Sequence, residues 1–151
     1  MGEPTTDTKK PELWMTRVFD APRRMGFEAW AKAEYVQRWV TPAPLTTPSC
    51  ELDLRPGGVF RLVMQMPDGM QFPMDATFVE VLAEKKIVFT ARIHGGLDVH
   101  TTVTFEDEPG GKTKLTMHQV YAFENDAVRG AKQGWTQTLD QLEAFVRSRA
   151  S

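Results

Sequence analysis

Few residues of this chain are suited to chemistry, and they stand apart from one another. His94, His100 and His118 fall on separate turn or strand segments, without paired ligand spacing or a neighbouring cysteine pair. No metal site is therefore expected. His100 and His118 are also out of phase with the apolar positions around them, so they read as solvated or edge histidines. The serines are Ser49, Ser148 and Ser151, none of them in a Gly-x-Ser-x-Gly elbow. Cys50 shares the phase of Leu52 and Leu54, which suits a small buried hydrophobe better than an activated thiolate. Gly57-Gly58 follows Arg55-Pro56 and opens a strand, which makes turn chemistry of it instead of a phosphate cradle. Asp53 and Arg55 share a strand face as an ion pair worth about 0 to 1 kcal/mol if exposed. No catalytic set and no cofactor is expected.

With no reactive constellation, the informative features are the elements themselves. From Phe123 to Arg147, the residues Val128, Ala131, Trp135, Leu139, Leu142, Phe145 and Val146 recur three and four apart. That is one stripe of a helix. Asp126, Arg129, Lys132, Gln133, Asp140, Gln141 and Arg147 occupy the opposite face. Gly130 and Gly134 each weaken an isolated helix by about 1 kcal/mol, for which a close backbone or ligand contact is the usual compensation. The stripe either covers a sheet core or leaves Trp135 as a wall of a cavity.

The preceding chain reads in order. Leu13 to Phe19 is a strand; Asp20-Ala21-Pro22 then signals a helix start, with Asp20 as its cap. A second helix is expected over Ala33 to Trp39, and Pro42, Pro44 and Pro48 make a loop. From Cys50 the period becomes two, giving about six strands joined by short turns at Pro56-Gly57-Gly58, Asp68-Gly69, Glu84-Lys85, Gly95-Gly96 and Pro109-Gly110-Gly111. Asp68-Gly69 suits a type I′ turn. Such turns imply an antiparallel meander.

Composition narrows the partners. The chain has 151 residues, a formal net charge of -2 and one cysteine, so one domain over residues 11–151 behind a polar tail, residues 1–10, is expected. Charges are scattered singly, which argues against nucleic acid and an anionic membrane surface. No run is long enough to span a bilayer, and a cytoplasmic location is expected. Eight Met and nine Phe supply adaptable apolar surface.

This order of elements resembles the α+β helix-grip fold of the START-related superfamily, a curved antiparallel β-sheet wrapped around a long C-terminal α-helix, with two short helices after strand one. More narrowly, the chain resembles the START-like SRPBCC family of the C-terminal domain of the activator of the ninety-kilodalton heat-shock-protein ATPase. The resemblance rests on Arg17-Val18-Phe19-Asp20-Ala21-Pro22, Phe27-Glu28-Ala29-Trp30, Gln37-Arg38-Trp39, Asp53-Leu54-Arg55-Pro56-Gly57-Gly58, Val103-Thr104-Phe105, Lys112-Thr113-Lys114-Leu115-Thr116 and Gly134-Trp135. Gly26 replaces a larger apolar residue and Val40 a second aromatic, which would enlarge the region near the first helices. The resemblance does not include the activator's chaperone-stimulating domain, so direct chaperone binding is not expected.

The resemblance implies a cavity for lipids, sterols or polyketides. Trp39, Phe60, Met64, Phe72, Met74, Phe89, Thr101, Gln119, Tyr121 and Trp135 are the lining expected on the inner faces, with Thr101, Gln119 and Tyr121 orienting a mainly apolar ligand. The alternative is that they fill a dry core. The leading functional reading is a binding module for a small hydrophobic molecule, with a homodimer left open. The competing readings are a cyclase or aromatase-type enzyme, marked by a strongly shifted pKa in the cavity, and a chaperone-associated module, marked by a large exposed apolar patch.

Overall fold

Among the described residues, ten elements follow from the pattern. They are β1 (Glu12–Phe19), α1 (Arg23–Glu28), α2 (Ala33–Trp39), β2 (Thr46–Leu52), β3 (Val59–Gln65), β4 (Gln71–Leu82), β5 (Lys86–Ile93), β6 (Leu97–Glu108), β7 (Lys112–Tyr121) and α3 (Asp126–Ala150). The computed structural model describes residues 10–93 and 96–150; His94 and nearly all of the expected tail lie outside the described residues.

The seven strands pair antiparallel in the order β1-β7-β6-β5-β4-β3-β2. The sheet is open and curved. With the two short helices after β1 and the long C-terminal helix, it is the helix-grip, START-like fold. Alternation fixes which face is inside, because successive side chains of a strand point to opposite faces. Thus Leu97, Val99, Thr101, Val103 and Phe105 of β6 are buried, as are Thr113, Leu115, Met117, Gln119 and Tyr121 of β7. A register shift between Phe78 and Glu80 interrupts the β4–β5 ladder at exposed Val79. Such a bulge bends a strand and increases its twist.

Three local expectations are corrected. Asp20 does not cap α1: Pro22 occupies the N-cap position, and no side chain bonds the first turn. Pro48 lies inside β2, not in a loop, which is tolerated because β2 is an edge strand with a register shift between Thr46 and Ser49. At Met66-Pro67-Asp68-Gly69 only Gly69 has positive φ, at 94°, while the Gly69 N–H donates to Met66 O and the Met66 N–H to Met70 O. That is a type I turn closed by a glycine bulge, because Pro67 already sets the first central residue at negative φ. By contrast, Arg55-Pro56-Gly57-Gly58 forms the expected turn, with Gly57 at φ 83° and the Gly58 N–H on Arg55 O. Arg55 Nε pairs with Asp53 Oδ2 at 2.7 Å.

Helix α3 is divided along its length. Asn125 caps it, its Oδ1 accepting the Val128 N–H at 3.1 Å. Thr138, Leu139, Leu142, Phe145 and Val146 in its second half are buried, whereas Val128, Ala131 and Trp135 in its first half are only half-buried. The second half contacts α1, α2 and β1, and Arg17 of β1 reaches Asp140 at 2.7 Å and Glu143 at 3.2 Å. The first half packs Ala127, Val128 and Ala131 on Leu97, Val99 and Tyr121 and borders an open space beside them.

A candidate ligand cavity between the sheet and the C-terminal helix

That space is a cavity of about 330 Å³. Its sheet wall comes from alternate residues of five strands: Phe60, Leu62 and Met64 of β3, Met74 of β4, Phe89, Ala91 and Ile93 of β5, Val99 and Thr101 of β6, and Gln119 and Tyr121 of β7. Facing them are Ala127, Ala131, Gly134, Trp135 and Thr138 of α3, spaced three and four apart. Trp30, Val40 and Pro42 complete the lining.

Of the residues expected from the sequence, Phe60, Met64, Met74, Phe89, Thr101, Gln119, Tyr121 and Trp135 come together there. Trp39 and Phe72 do not belong to that lining. Trp39 is fully buried in the core; its indole N–H donates to Ala29 O at 3.0 Å, and its ring meets Trp30 edge to face at 4.7 Å. Trp30 takes the place at the cavity instead. Phe72, the second residue of β4, is half-buried toward the β3–β4 turn, one inward-facing position beyond Met74.

Gly134 was expected to permit a close approach. Nothing lies within 4 Å of where its Cβ would be, so its missing side chain leaves cavity volume open. Gly26 likewise does not enlarge the region: its Cβ would sit in ordinary contact with Phe105, Thr113 and Phe19, at 3.7 to 3.9 Å. Val40 does line the cavity. Gln141, assigned to the polar face of the helix, turns toward the α2–β2 loop instead. Its Nε2 donates to Trp39 O and Thr41 O, and its Oε1 accepts the Ala43 N–H. Gln137 adds a bond to Ala43 O at 2.7 Å. These two side chains hold the loop that carries Val40 and Pro42, and an i, i+4 glutamine pair was the available sequence signal.

Three of the polar groups form one chain. The Tyr121 hydroxyl donates to Gln119 Oε1, and Gln119 Nε2 donates to Thr101 Oγ1 at 3.0 Å. Thr101 and Gln119 are directly opposed in the β6–β7 ladder. Burial pushes the Tyr121 phenol up to about 12, so it is a neutral hydroxyl at physiological pH. No Asp, Glu, Lys, Arg or His belongs to the lining among the described residues. Among the described residues the lining presents hydroxyl, amide and indole groups on an otherwise apolar surface.

The other chemistry-bearing residues lie elsewhere. His118 Nε2 meets Glu12 Oε1 at 2.6 Å and its ring stacks on exposed Trp14 at 3.8 Å, while His100 is exposed. Cys50 is half-buried on β2, its thiol pushed up by burial to about 11. Among the described residues no group of three or more His, Cys, Asp or Glu is arranged to hold a metal ion, and no helix is long and apolar enough to cross a membrane.

No curated protein matches the chain. Among solved structures, a protein from Nitrosomonas europaea is 26% identical with a TM-score of 0.79, covering 91% of this chain and 95% of the other. An uncharacterized protein from Rhizobium leguminosarum is 29% identical with a TM-score of 0.77, covering 93% and 96%. A Chromobacterium violaceum protein has a TM-score of 0.83 at 23% identity, covering 89% and 96%, a likeness that concerns the fold alone. Residues 20–147 match the family described as Activator of Hsp90 ATPase homolog 1-like protein, and the chain belongs to that family.

Proposed function

We propose that this protein binds a small hydrophobic molecule between its sheet and the first half of α3, and that it holds the ligand without converting it. The observation that carries the reading is a 330 Å³ space whose described lining is mainly apolar, with a few uncharged polar side chains. That volume and composition suit a small-molecule site. Phe60, Met64, Met74, Phe89 and Trp135 would supply the apolar contact, and Thr101, Gln119 and Tyr121 the orientation.

The cyclase reading needs an acid or base with a pKa near the working pH. Tyr121 is shifted away from neutrality, and Cys50 lies outside the cavity with a thiol shifted the same way. For a chaperone-docking surface, the exposed large apolar residues are divided. Trp14 and Val18 lie on β1, and Val79 and Leu82 on β4, four strand spacings or roughly 19 Å away. The binding reading is tested by mass spectrometry of compounds extracted from natively purified protein, together with titration of apolar ring compounds. A stoichiometric apolar ligand, or saturable probe binding blocked by bulk at Gly134, is the expected result. Absence of both from properly folded protein would leave a dry cavity and end the proposal.

A further inference from the structure

We infer that Met64 and Met74 make the cavity a redox-gated site: oxidation of their thioethers to sulfoxides by hydrogen peroxide expels the apolar ligand, and reduction restores binding. The inference rests on the binding reading above and adds its regulation.

Placement comes first. Four of the eight methionines, Met64, Met66, Met70 and Met74, fall on the β3–β4 hairpin. All four are in phase with Phe60, Leu62, Ala76 and Phe78, which are buried on the inner face. Across the ladder Leu62 faces Met74 and Met64 faces Phe72, and the Met66 N–H donates to Met70 O beside the turn. The inner face of the hairpin thus carries thioethers from the cavity out to the tip. Met70 at the tip is 55% exposed, while Met64 and Met74 are half-buried in the lining of the open space. A water-sized oxidant entering that space meets them. Of the other described methionines, Met117 is fully buried, and Met15 and Met25 pack on the core outside the lining.

The chemistry follows from the side chain. Leucine would give a similar apolar wall, but only a thioether is oxidised. The methionine sulfur attacks one peroxide oxygen; the S–O bond forms as the O–O bond breaks, and the departing hydroxide takes the proton of the transferred oxygen and leaves as water. Sulfur gives up two electrons and the peroxide gains them. The product is a polar, chiral side chain. Among the described residues no charged side chain of the lining faces the new oxygen, and the Tyr121, Gln119 and Thr101 groups already bond one another. An apolar ligand seated on the sulfoxide would therefore strip its oxygen of water and offer nothing in exchange. A bound ligand in turn covers Met64 and Met74 and slows their oxidation.

The test uses the intact chain, hydrogen peroxide and N-phenyl-1-naphthylamine as a neutral apolar fluorescent probe, with oxidation of each methionine followed by peptide mass spectrometry. Met70 should oxidise first, Met64 and Met74 next and Met117 last. Saturating probe should slow Met64 and Met74 and leave Met70 unchanged. Once Met64 and Met74 are oxidised, probe affinity should fall by about tenfold or more, and methionine sulfoxide reductases acting on both epimers should restore it. Near-ultraviolet circular dichroism checks that the oxidised protein stays folded. Met64→Leu/Met74→Leu, compared with its own unoxidised form, should lose the sensitivity to peroxide, whereas Met66→Leu/Met70→Leu should keep it. Affinity untouched by oxidation of Met64 and Met74, loss of affinity only through unfolding, equal sensitivity in Met64→Leu/Met74→Leu, or no shielding by the probe would each overturn the inference while leaving the binding site standing. If the unoxidised protein bound no probe, the binding reading would fail along with the inference.

Discussion

Gly134 and Gly58 show how one residue type serves opposite ends. A Cβ at Gly58 would fall 2.0 Å from Asp53 O, inside the backbone of its own turn, whereas at Gly134 it would meet nothing within 4 Å. Gly134→Ala should therefore stabilise the protein by about 0.5 to 1 kcal/mol through helix propensity, measured by urea denaturation. Gly134→Leu should keep the fold and lower the affinity of a naphthalene-sized probe at least tenfold. Unchanged probe affinity in the leucine variant would mean that the ligand space lies elsewhere. Tyr121 gives a pH prediction at the same scale. Its folded pKa, about 12, lies above the reference value of 10.0, so the folded state retains a proton that the unfolded state releases. Its stabilising contribution is complete below pH 10 and is lost as pH rises from 10 to 12. Tyr121→Phe should remove that part of the alkaline stability loss, and phenolate absorbance should assign the late-titrating component to Tyr121. A variant with an unaltered alkaline profile would refute the assignment.

At the scale of elements, the α2–β2 loop and α3 act as a unit. Gln141 bonds Trp39 O, Thr41 O and the Ala43 N–H, and the held segment places Val40 and Pro42 against the cavity. Each such bond contributes about 0.5 to 1.5 kcal/mol net, and orphaning the buried partners costs more. Gln141→Ala should thus destabilise the fold by about 1 to 3 kcal/mol and weaken probe binding, since one cavity wall loses its support. Denaturation and probe titration of the same variant check both effects. If stability falls while affinity is untouched, the clamp is structural only. The Arg17 pairs with Asp140 and Glu143 also tie α3 down, but Asp140 is largely exposed, so that contact is worth about 0 to 1 kcal/mol.

Across the whole molecule, the main core and the cavity divide one helix between them. Leu139, Leu142, Phe145 and Val146 close the core shared with Phe19, Val36, Trp39, Val103, Leu115 and Met117, whereas Ala127, Ala131, Gly134 and Trp135 face the cavity. Regions with little buried contact open at low free-energy cost. Native-state hydrogen exchange should show residues 138–146 protected close to the global limit, residues 127–135 exchanging through local opening, and a bound probe raising protection mainly in the latter. Uniform protection along α3 without ligand would contradict this division. Leu142→Ala should cost about 2 to 5 kcal/mol, measured by thermal and urea unfolding, because Leu142 belongs to the closed half.

The sequence by itself determined the order of the elements, the inner face of nearly every strand and the stripe of α3. These follow from periods of 2 and 3.6 and from turns whose glycines and prolines have few conformational options. It also pointed to eight of the residues at the cavity, because whatever an alternating strand turns inward must face either core or cavity. Periodicity cannot distinguish those two fates. Trp39 and Trp30 both belong to the buried core, and only their packing left Trp30 also bordering the cavity. Likewise, nothing in the spacing of Gly134 revealed open space beside it, nor in that of Gln141 that it would turn from solvent to grip a loop 100 residues away. Those outcomes depend on how far α3 stands from the sheet, a distance set jointly by side chains on elements remote in sequence, and only the tertiary structure decided it.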